Sequence, residues 1–514
     1  MDLDGELFWG DAHVNVHPEH MGDLARTFSA AREHLNVFPI AFYPFVWFDR
    51  NGLKVESVGH RQEYDPLWVK VQEAVAETNA PGHFVTFLGY EWHGNRRRFG
   101  DHNVYYRNDF EPLSAVPTLP GLYRHLHRHP GIAIPHHTAY QLGERGKDWR
   151  CQDPELSPLA EIYSAHGCSE GVLSPTTMDQ NTNMGPRVSG GTIVEGLQQG
   201  HRFGIIASSD SHDGYPAHWG LGRFGVWATD LSREAVWDAF LARRTIAVTG
   251  DRIQLRLAAH GHEMGEAFVH RGALTMNVQV VGADAIDRIE LIRNGSVLDT
   301  YCHSGRWAWP RASGAGKWRL EFGWGPNRDK GFPPEEVRFQ GTVTVRGGRI
   351  LGLERCFTGF DQEARLTGPN RCSFDIVTAQ RSGMDSGQLR PSIVLELQAT
   401  PASRVAVSIK GIGRHELTWS QARSTAVLAG LRESRERVAR CFGVTPRTID
   451  NPDPYWHNAR KVLLHRAVPR SAYTVEHTFL DRQPPAGTNF YYVRVSQLNG
   501  QMAWSSPIWV TNAR

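Results

Sequence analysis

The sequence predicts two regions: an α/β region over residues 1–250 on mostly parallel strands, in a sheet or barrel, and an all-β antiparallel region over 251–514. Three observations predict this. Short apolar runs alternate with helix-period segments up to about residue 250, the βαβ pattern. Histidines and acids stand just after five of the six strand candidates there. Beyond that point apolar residues recur at every second position.

Each element follows from its own residues. Glu6–Gly10 reads as the first strand and 22–34 as the first helix; a second strand spans 37–42. The helix at 66–79 places Leu67, Val71 and Val75 on one stripe. Strand 84–90 comes next. A helix at 119–129 then turns Leu122 and Leu126 inward and His125, His127 and His129 to solvent. Strands 131–135, Leu159–Ser164 and 204–208 complete the six. Thr192 and Glu195 form a capping box for another helix, and a last one starts near Ser232 with Val236 and Phe240 inward.

Past residue 250, Leu274, Met276, Val278 and Val280 alternate with polar residues, as do Val343 with Val345, Ile393 with Leu395 and Leu397, and Val493 with Val495. Asn294-Gly295 marks a hairpin. A helical insertion is expected around 420–441, where Arg432–Glu436 and Glu433–Arg437 are i,i+4 pairs. The pattern suits one or two sandwich-like units.

The 514 residues are 40% hydrophobic and 21% charged, a globular composition long enough for two to four units. A net charge of +2 supplies no field that would draw the chain to nucleic acid or an anionic membrane. The start Met1-Asp2-Leu3-Asp4-Gly5-Glu6 carries no secretory signal, and no run approaches the roughly 18 apolar residues that cross a bilayer, so a cytoplasmic location is expected. Six scattered cysteines suggest neither disulfides nor a zinc knuckle, and most are expected to be small buried side chains.

Sixteen of the 25 histidines fall within residues 1–212. His13, Asn15 and His17 follow the first strand at a spacing of two, which points side chains one way on an extended segment. Glu91 ends a very apolar run, where an unpaired carboxylate is costly, and no Lys or Arg precedes Arg96 to neutralise it. His102 precedes another apolar run; His136 and His137 end the fourth strand, His166 follows the fifth, and Asp210 and His212 follow the sixth. Parallel strands in a barrel would gather these groups at one rim, where imidazole and carboxylate suit Zn, Mn or Fe(II).

In order, Asp11-Ala12-His13, Glu91, His102, His136-His137 and Ser209-Asp210-Ser211-His212 resemble the PHP superfamily, named for polymerase and histidinol phosphatase. Gly89-Tyr90-Glu91-Trp92, Ile162-Tyr163-Ser164-Ala165-His166-Gly167, the run from Arg243 to Ile253 and Trp504-Ser505-Ser506-Pro507-Ile508-Trp509-Val510 are similar to its branch that includes carbaryl hydrolase. The resemblance implies a distorted (β/α)7 barrel and one to three divalent ions. It implies that His13, Glu91 and Asp210 hold one ion, that Glu91 bridges to a second held by His102 and one of His136 or His137, and that His212 serves a third. Asn15 stands where the family carries a second histidine, and 37–42 runs into Tyr43-Pro44 instead of Thr-Asp-His; His17, Glu19 or His20 are the substitutes at hand.

The activity expected is metal-dependent hydrolysis of a small-molecule ester, carbamate, amide or phosphoester. His137 or His166 would protonate the leaving group. Arg96, Arg97 and Arg98 would clamp an anionic group, and Tyr43, Trp47, Phe48, Trp92 and Tyr140 would line the mouth. The stretch 168–191 is long enough to act as a lid. Trp307, Trp309, Trp318 and Trp324 in the β-rich region read as core or interdomain residues rather than sugar platforms. Self-association into a homo-oligomer is allowed for. The alternative is a degenerate barrel that has lost catalysis, with a carbohydrate-binding or scaffold role in the β-rich region.

Overall fold

The structure is a computed structural model that describes residues 5–57, 59–178, 184–324, 330–333, 336–378 and 390–513. It contains two compact units. One comprises Met1–Val281, Asp287–Cys302 and Glu476–Arg514, and the other Gly282–Ile286 and His303–Val475. Residue 250, where the sequence pattern changes, falls inside the first unit.

In the first unit Glu6–Gly10 lies between Arg223–Ala228, antiparallel to it, and Val37–Pro39, parallel to it. Val85–Trp92 extends the parallel run. Asp101–Tyr106 then returns antiparallel and pairs with Gly131–His136. Leu159–Ser164 and Gly204–Ala207 are parallel partners in a separate three-stranded sheet. The fold is therefore mixed α/β with several sheets, and the hydrogen bonds of the described strands close no barrel. One reason is local: only the short helix Arg96–Phe99 separates Val85–Trp92 from Asp101–Tyr106, too little chain for a parallel crossover.

The predicted elements are present with adjusted ends. Helices span Leu24–His34, Asp65–Thr78, Leu119–Arg128, Ile193–Gln198 and Arg233–Leu241. Both bonds of the Thr192–Glu195 capping box form, and Ser232 caps the last of these helices. Strand 37–42 breaks at Ile40 into Val37–Pro39 and Ala41–Phe42. The buried stripe of Asp65–Thr78 is Trp68, Val71 and Val75, with Leu67 only half-buried. His125, expected in solvent, is buried with its Nε2 2.8 Å from the Tyr106 hydroxyl.

Beneath the strand ends lies a core of Val37, Val85, Phe87, Ile132, Ile134, Ile206, Phe224 and Val226, covered by Val236 and Phe240. Burying each such aliphatic side chain contributes about 1.5–3 kcal/mol. Gly10 admits the Phe224 ring, whose Cζ would lie 2.1 Å from any added Cβ. Met502–Ser505 pairs with Thr245–Val248 and draws Gly487–Gln497 and Ile508–Asn512 into the same sheet. Trp504 accordingly shares a core with Ile205, Ala207 and Tyr163. The Asn294-Gly295 turn joins Ile286–Arg293 to Ser296–Cys302.

The second unit is built on a nine-stranded sheet whose long members, Val337–Cys356 and Ser392–Ile409, pair antiparallel. The helical insertion is two pieces, Trp419–Ala422 and Leu431–Phe442, with Val427–Ala429 between them. Arg432 lies 3.8 Å from Glu436, as its spacing predicts. Trp318 is buried, whereas Trp307, Trp309 and Trp324 are half-buried. All six cysteines are free; three are buried, fewer than expected. No helix among the described residues is long and apolar enough to cross a membrane.

Candidate metal centre

Residues 11–17 leave the first strand and run beside 208–212. Asn15 N donates to the Ser211 carbonyl at 2.8 Å, and Ser211 N to the His13 carbonyl at 3.1 Å. The fully buried Asp11 carboxylate locks this junction by accepting the amides of His13 (3.2 Å), Ser209 (3.0 Å) and Ala217 (2.9 Å). Three N–H groups satisfy a carboxylate whose burial would otherwise be costly.

Around that junction the histidines and acids converge. His13 Nε2 lies 3.2 Å from Asp210 Oδ1 and 3.5 Å from Glu91 Oε2, and its Nδ1 lies 3.1 Å from Glu161 Oε2. The His136 ring stands 4.3 Å from that of His13, with Nε2 3.6 Å from Glu91 Oε1. His166 places Nε2 3.1 Å from Asp210 Oδ2 and Nδ1 2.5 Å from the Tyr140 hydroxyl, and the His137 ring is 4.6 Å away. Among the described residues of this unit, three groups bring one donor atom from each member within 4.8 Å: His13, His136 and Asp210; His137, His166 and Asp210; and Glu91, His93 and Asp101. His137 and Asp210 both hold positive φ, 34° and 52°, a conformation that non-glycine residues keep only where their surroundings impose it.

Electrostatics sort these groups by protonation. Burial opposes charge on His13, but Asp210 and Glu161 outweigh it and hold its pKa well above the ordinary value. Burial likewise opposes the Asp210 and Glu91 carboxylates, yet the neighbouring imidazoles hold both well below the usual range. His136 is pushed down to about 3 by burial and by His13, and burial with His136 lowers His137 strongly. Both are neutral imidazoles. His136 has no hydrogen-bond partner at either ring nitrogen, and His137 Nδ1 and Glu91 Oε2 have none among the described residues.

Other candidates are placed differently. His102 belongs to none of the three groups: its Nε2 lies 3.1 Å from the Lys147 amine and is engaged there. Asn15 donates its amide to Asp210 Oδ1 (3.2 Å) and lies 3.3 Å from His212 Nε2. His17 pairs with His212 Nδ1 at 2.8 Å and stacks near Tyr43, outside the groups. His212 reaches Asp210 at 3.3 Å from the half-exposed side.

Arg96 spends its guanidinium on Asp101, Glu56 and His93 instead of presenting it. Arg97 is exposed beside Glu144, and Arg98 is exposed over Phe99. Trp92 lies within its strand, buried, with its indole donating to the Val116 carbonyl, so it packs the core and lines no mouth. Trp47 and Phe48 are exposed on the hairpin Trp47–Arg50 with Leu53–Glu56. Of the expected lid 168–191, residues 179–183 lie outside the described residues.

The sequence argument passed over His93, Asp101, Arg145, Lys147 and Glu161. Two carried a signal. His93 is two residues beyond Glu91 and lies 2.6 Å from its Oε1. Glu161 is an acid inside the fully buried strand Leu159–Ser164, the same anomaly that marked Glu91.

Residues 220–283 match a family described as a protein of unknown function, DUF3604. An uncharacterised protein of Chlamydia pneumoniae is 28% identical over 258 residues, covering 46% of this chain and 41% of its own length. One from Chlamydia muridarum is 29% identical over 202 residues, covering 36% and 32%. The chain thus spans less than half the length of these curated relatives. Among solved structures, a two-domain protein from Bacteroides vulgatus, described as containing a predicted PHP-like metal-dependent phosphoesterase, aligns over 56% of this chain and 79% of its own at 12% identity, with a TM-score of 0.30.

Proposed function

We propose that this chain is a metal-dependent hydrolase whose cluster of His13, Glu91, His136, His137, His166 and Asp210 holds one or two divalent cations. The observation that carries the reading is His136, a buried neutral imidazole whose two nitrogens find no hydrogen-bond partner among the described residues, set beside two carboxylates held ionised. Leaving such groups unsatisfied costs about 1–3 kcal/mol each, and a cation is the partner that suits all of them. Mixed imidazole and carboxylate donors fit Zn, Mn or Fe(II). The Glu91, His93 and Asp101 group is excluded because Arg96 and Arg145 already supply its positive charge.

When bound, the ion supplies Lewis acidity toward a carbonyl or phosphoryl oxygen and acidifies water. The chain's own residues do the rest. Glu161 fixes the His13 ring through Nδ1, so Nε2 faces the cluster, and Tyr140 does the same for His166. His137 and His166, expected as proton donors, serve as ligands in this reading. The leaving-group proton comes from His212, half-exposed and oriented at Nδ1 by His17. The substrate class is a small ester, carbamate, amide or phosphoester.

The test is metal content by mass spectrometry after purification with Mn or Zn, together with turnover of p-nitrophenyl acetate and p-nitrophenyl phosphate. Glu91→Gln and Asp210→Asn are expected to lose metal and turnover together. Less than about 0.2 metal per chain in the parent protein sinks the proposal and favours a non-catalytic scaffold.

A further inference from the structure

Arg145 differs from Arg96 in what its guanidinium meets. Its Nε donates to Asp101 Oδ2 at 3.0 Å, which fixes the plane of the group. Among the described residues the terminal nitrogens find only weak acceptors: Nη1 lies 3.4 Å from the Met184 thioether, and Nη2 lies 3.4 Å from His137 Nε2. A thioether is a poor acceptor and 3.4 Å is long for a nitrogen pair. Arg96, by contrast, reaches two carboxylates, Asp101 and Glu56. Asp101, the carboxylate that holds Arg145, is itself shared with Arg96, so it balances only part of the Arg145 charge.

The loop that carries Arg145 is closed tightly. The amides of Arg145 and Gly146 both donate to the Gln141 carbonyl, at 3.1 and 3.0 Å, and Lys147 N donates to the Thr138 carbonyl at 3.0 Å. Any side chain at 146 would place its Cβ 2.1 Å from the Tyr140 carbonyl oxygen, so glycine there lets the loop close. The guanidinium edge is thus held in place before anything binds, and such preorganisation favours recognition. Its side chain remains 24% exposed, next to His137 in a cluster otherwise withdrawn from solvent.

We propose that Arg145 recognises a permanent anion on the substrate, a carboxylate or phosphate engaged by its two terminal N–H groups, and that the molecules this site selects are therefore anionic. A planar pair of donors matches the two oxygens of such a group. The inference rests on the hydrolase reading above for its kinetic arm only.

Two arms test it, with Arg145→Met and Arg145→Lys beside the parent protein. In the first, inorganic phosphate is titrated calorimetrically into protein held in EDTA, so that no cation mediates binding. Arg145→Met is expected to weaken binding at least tenfold. Arg145→Lys, which keeps the charge and the Asp101 pairing but loses the planar fork, is expected to weaken it about three- to tenfold. Unchanged phosphate binding in either folded variant overturns the proposal, whatever the protein catalyses. In the second arm, KM is compared for mono-p-nitrophenyl succinate and for p-nitrophenyl butyrate, esters of equal chain length with and without a carboxylate. Arg145→Lys is expected to raise KM for the charged ester several-fold more than for the neutral one; an equal rise for both esters overturns the proposal. If the parent protein hydrolyses neither of these esters nor p-nitrophenyl phosphate, the hydrolase reading fails, and the phosphate arm still decides the role of Arg145.

Discussion

Replacing Lys147 with methionine removes a buried amine from beside His102 and flattens the response of stability to alkaline pH. Lys147 is 1% exposed, and burial pushes its pKa from the ordinary 10.5 down to about 7. Its Nζ meets His102 at 3.1 Å and no carboxylate within ion-pairing distance among the described residues. Between pH 7 and 10.5 the unfolded chain binds this proton and the folded chain does not, so stability rises with pH across that window and is lost as pH falls toward 7. The slope approaches 1.4 kcal/mol per pH unit, and with those two pKa values the gain between pH 7.5 and 9.5 is about 2.5 kcal/mol. Methionine preserves most of the apolar stem and abolishes the titration. Urea unfolding of both proteins in EDTA at the two pH values, followed by tryptophan fluorescence, isolates the effect, because every other titrating group cancels between parent and variant. Equal gains in the two proteins, within about 0.5 kcal/mol, would refute the argument that Lys147 is neutral in the folded chain.

Glu161→Gln leaves His13 without the carboxylate that meets its Nδ1 and is expected to weaken metal affinity about 10- to 100-fold, measured by competition with a chromogenic chelator. Asp11→Asn turns an amide donor toward one of the three backbone N–H groups that the carboxylate satisfies; it is expected to cost about 2–3 kcal/mol, read as a lowered unfolding midpoint. Thr192→Ala removes one bond of the capping box on Ile193–Gln198 and is expected to cost about 1 kcal/mol by the same measurement.

Local chemistry was legible in the chain itself. Alternating periods identified the strands and helices, Thr192 and Glu195 announced a helix start, Asn294-Gly295 announced a hairpin, and an acid stranded in an apolar run marked Glu91. Those signals depend on neighbours in sequence, where spacing alone fixes which side chains share a face. The tertiary structure decided which distant partners meet. Only packing sends Lys147 to His102 and Arg96 to Asp101 and Glu56, and so separates residues that a strand-end argument treats alike. Only the return of Asp101–Tyr106 onto Val85–Trp92, and the joining of the last strands to Thr245–Val248, sets the sheet order. A side chain's spacing along the polypeptide says which way it points, but what it touches there depends on chain that can lie far away in sequence. His13 with Glu161, 148 positions apart, depends on just such a meeting.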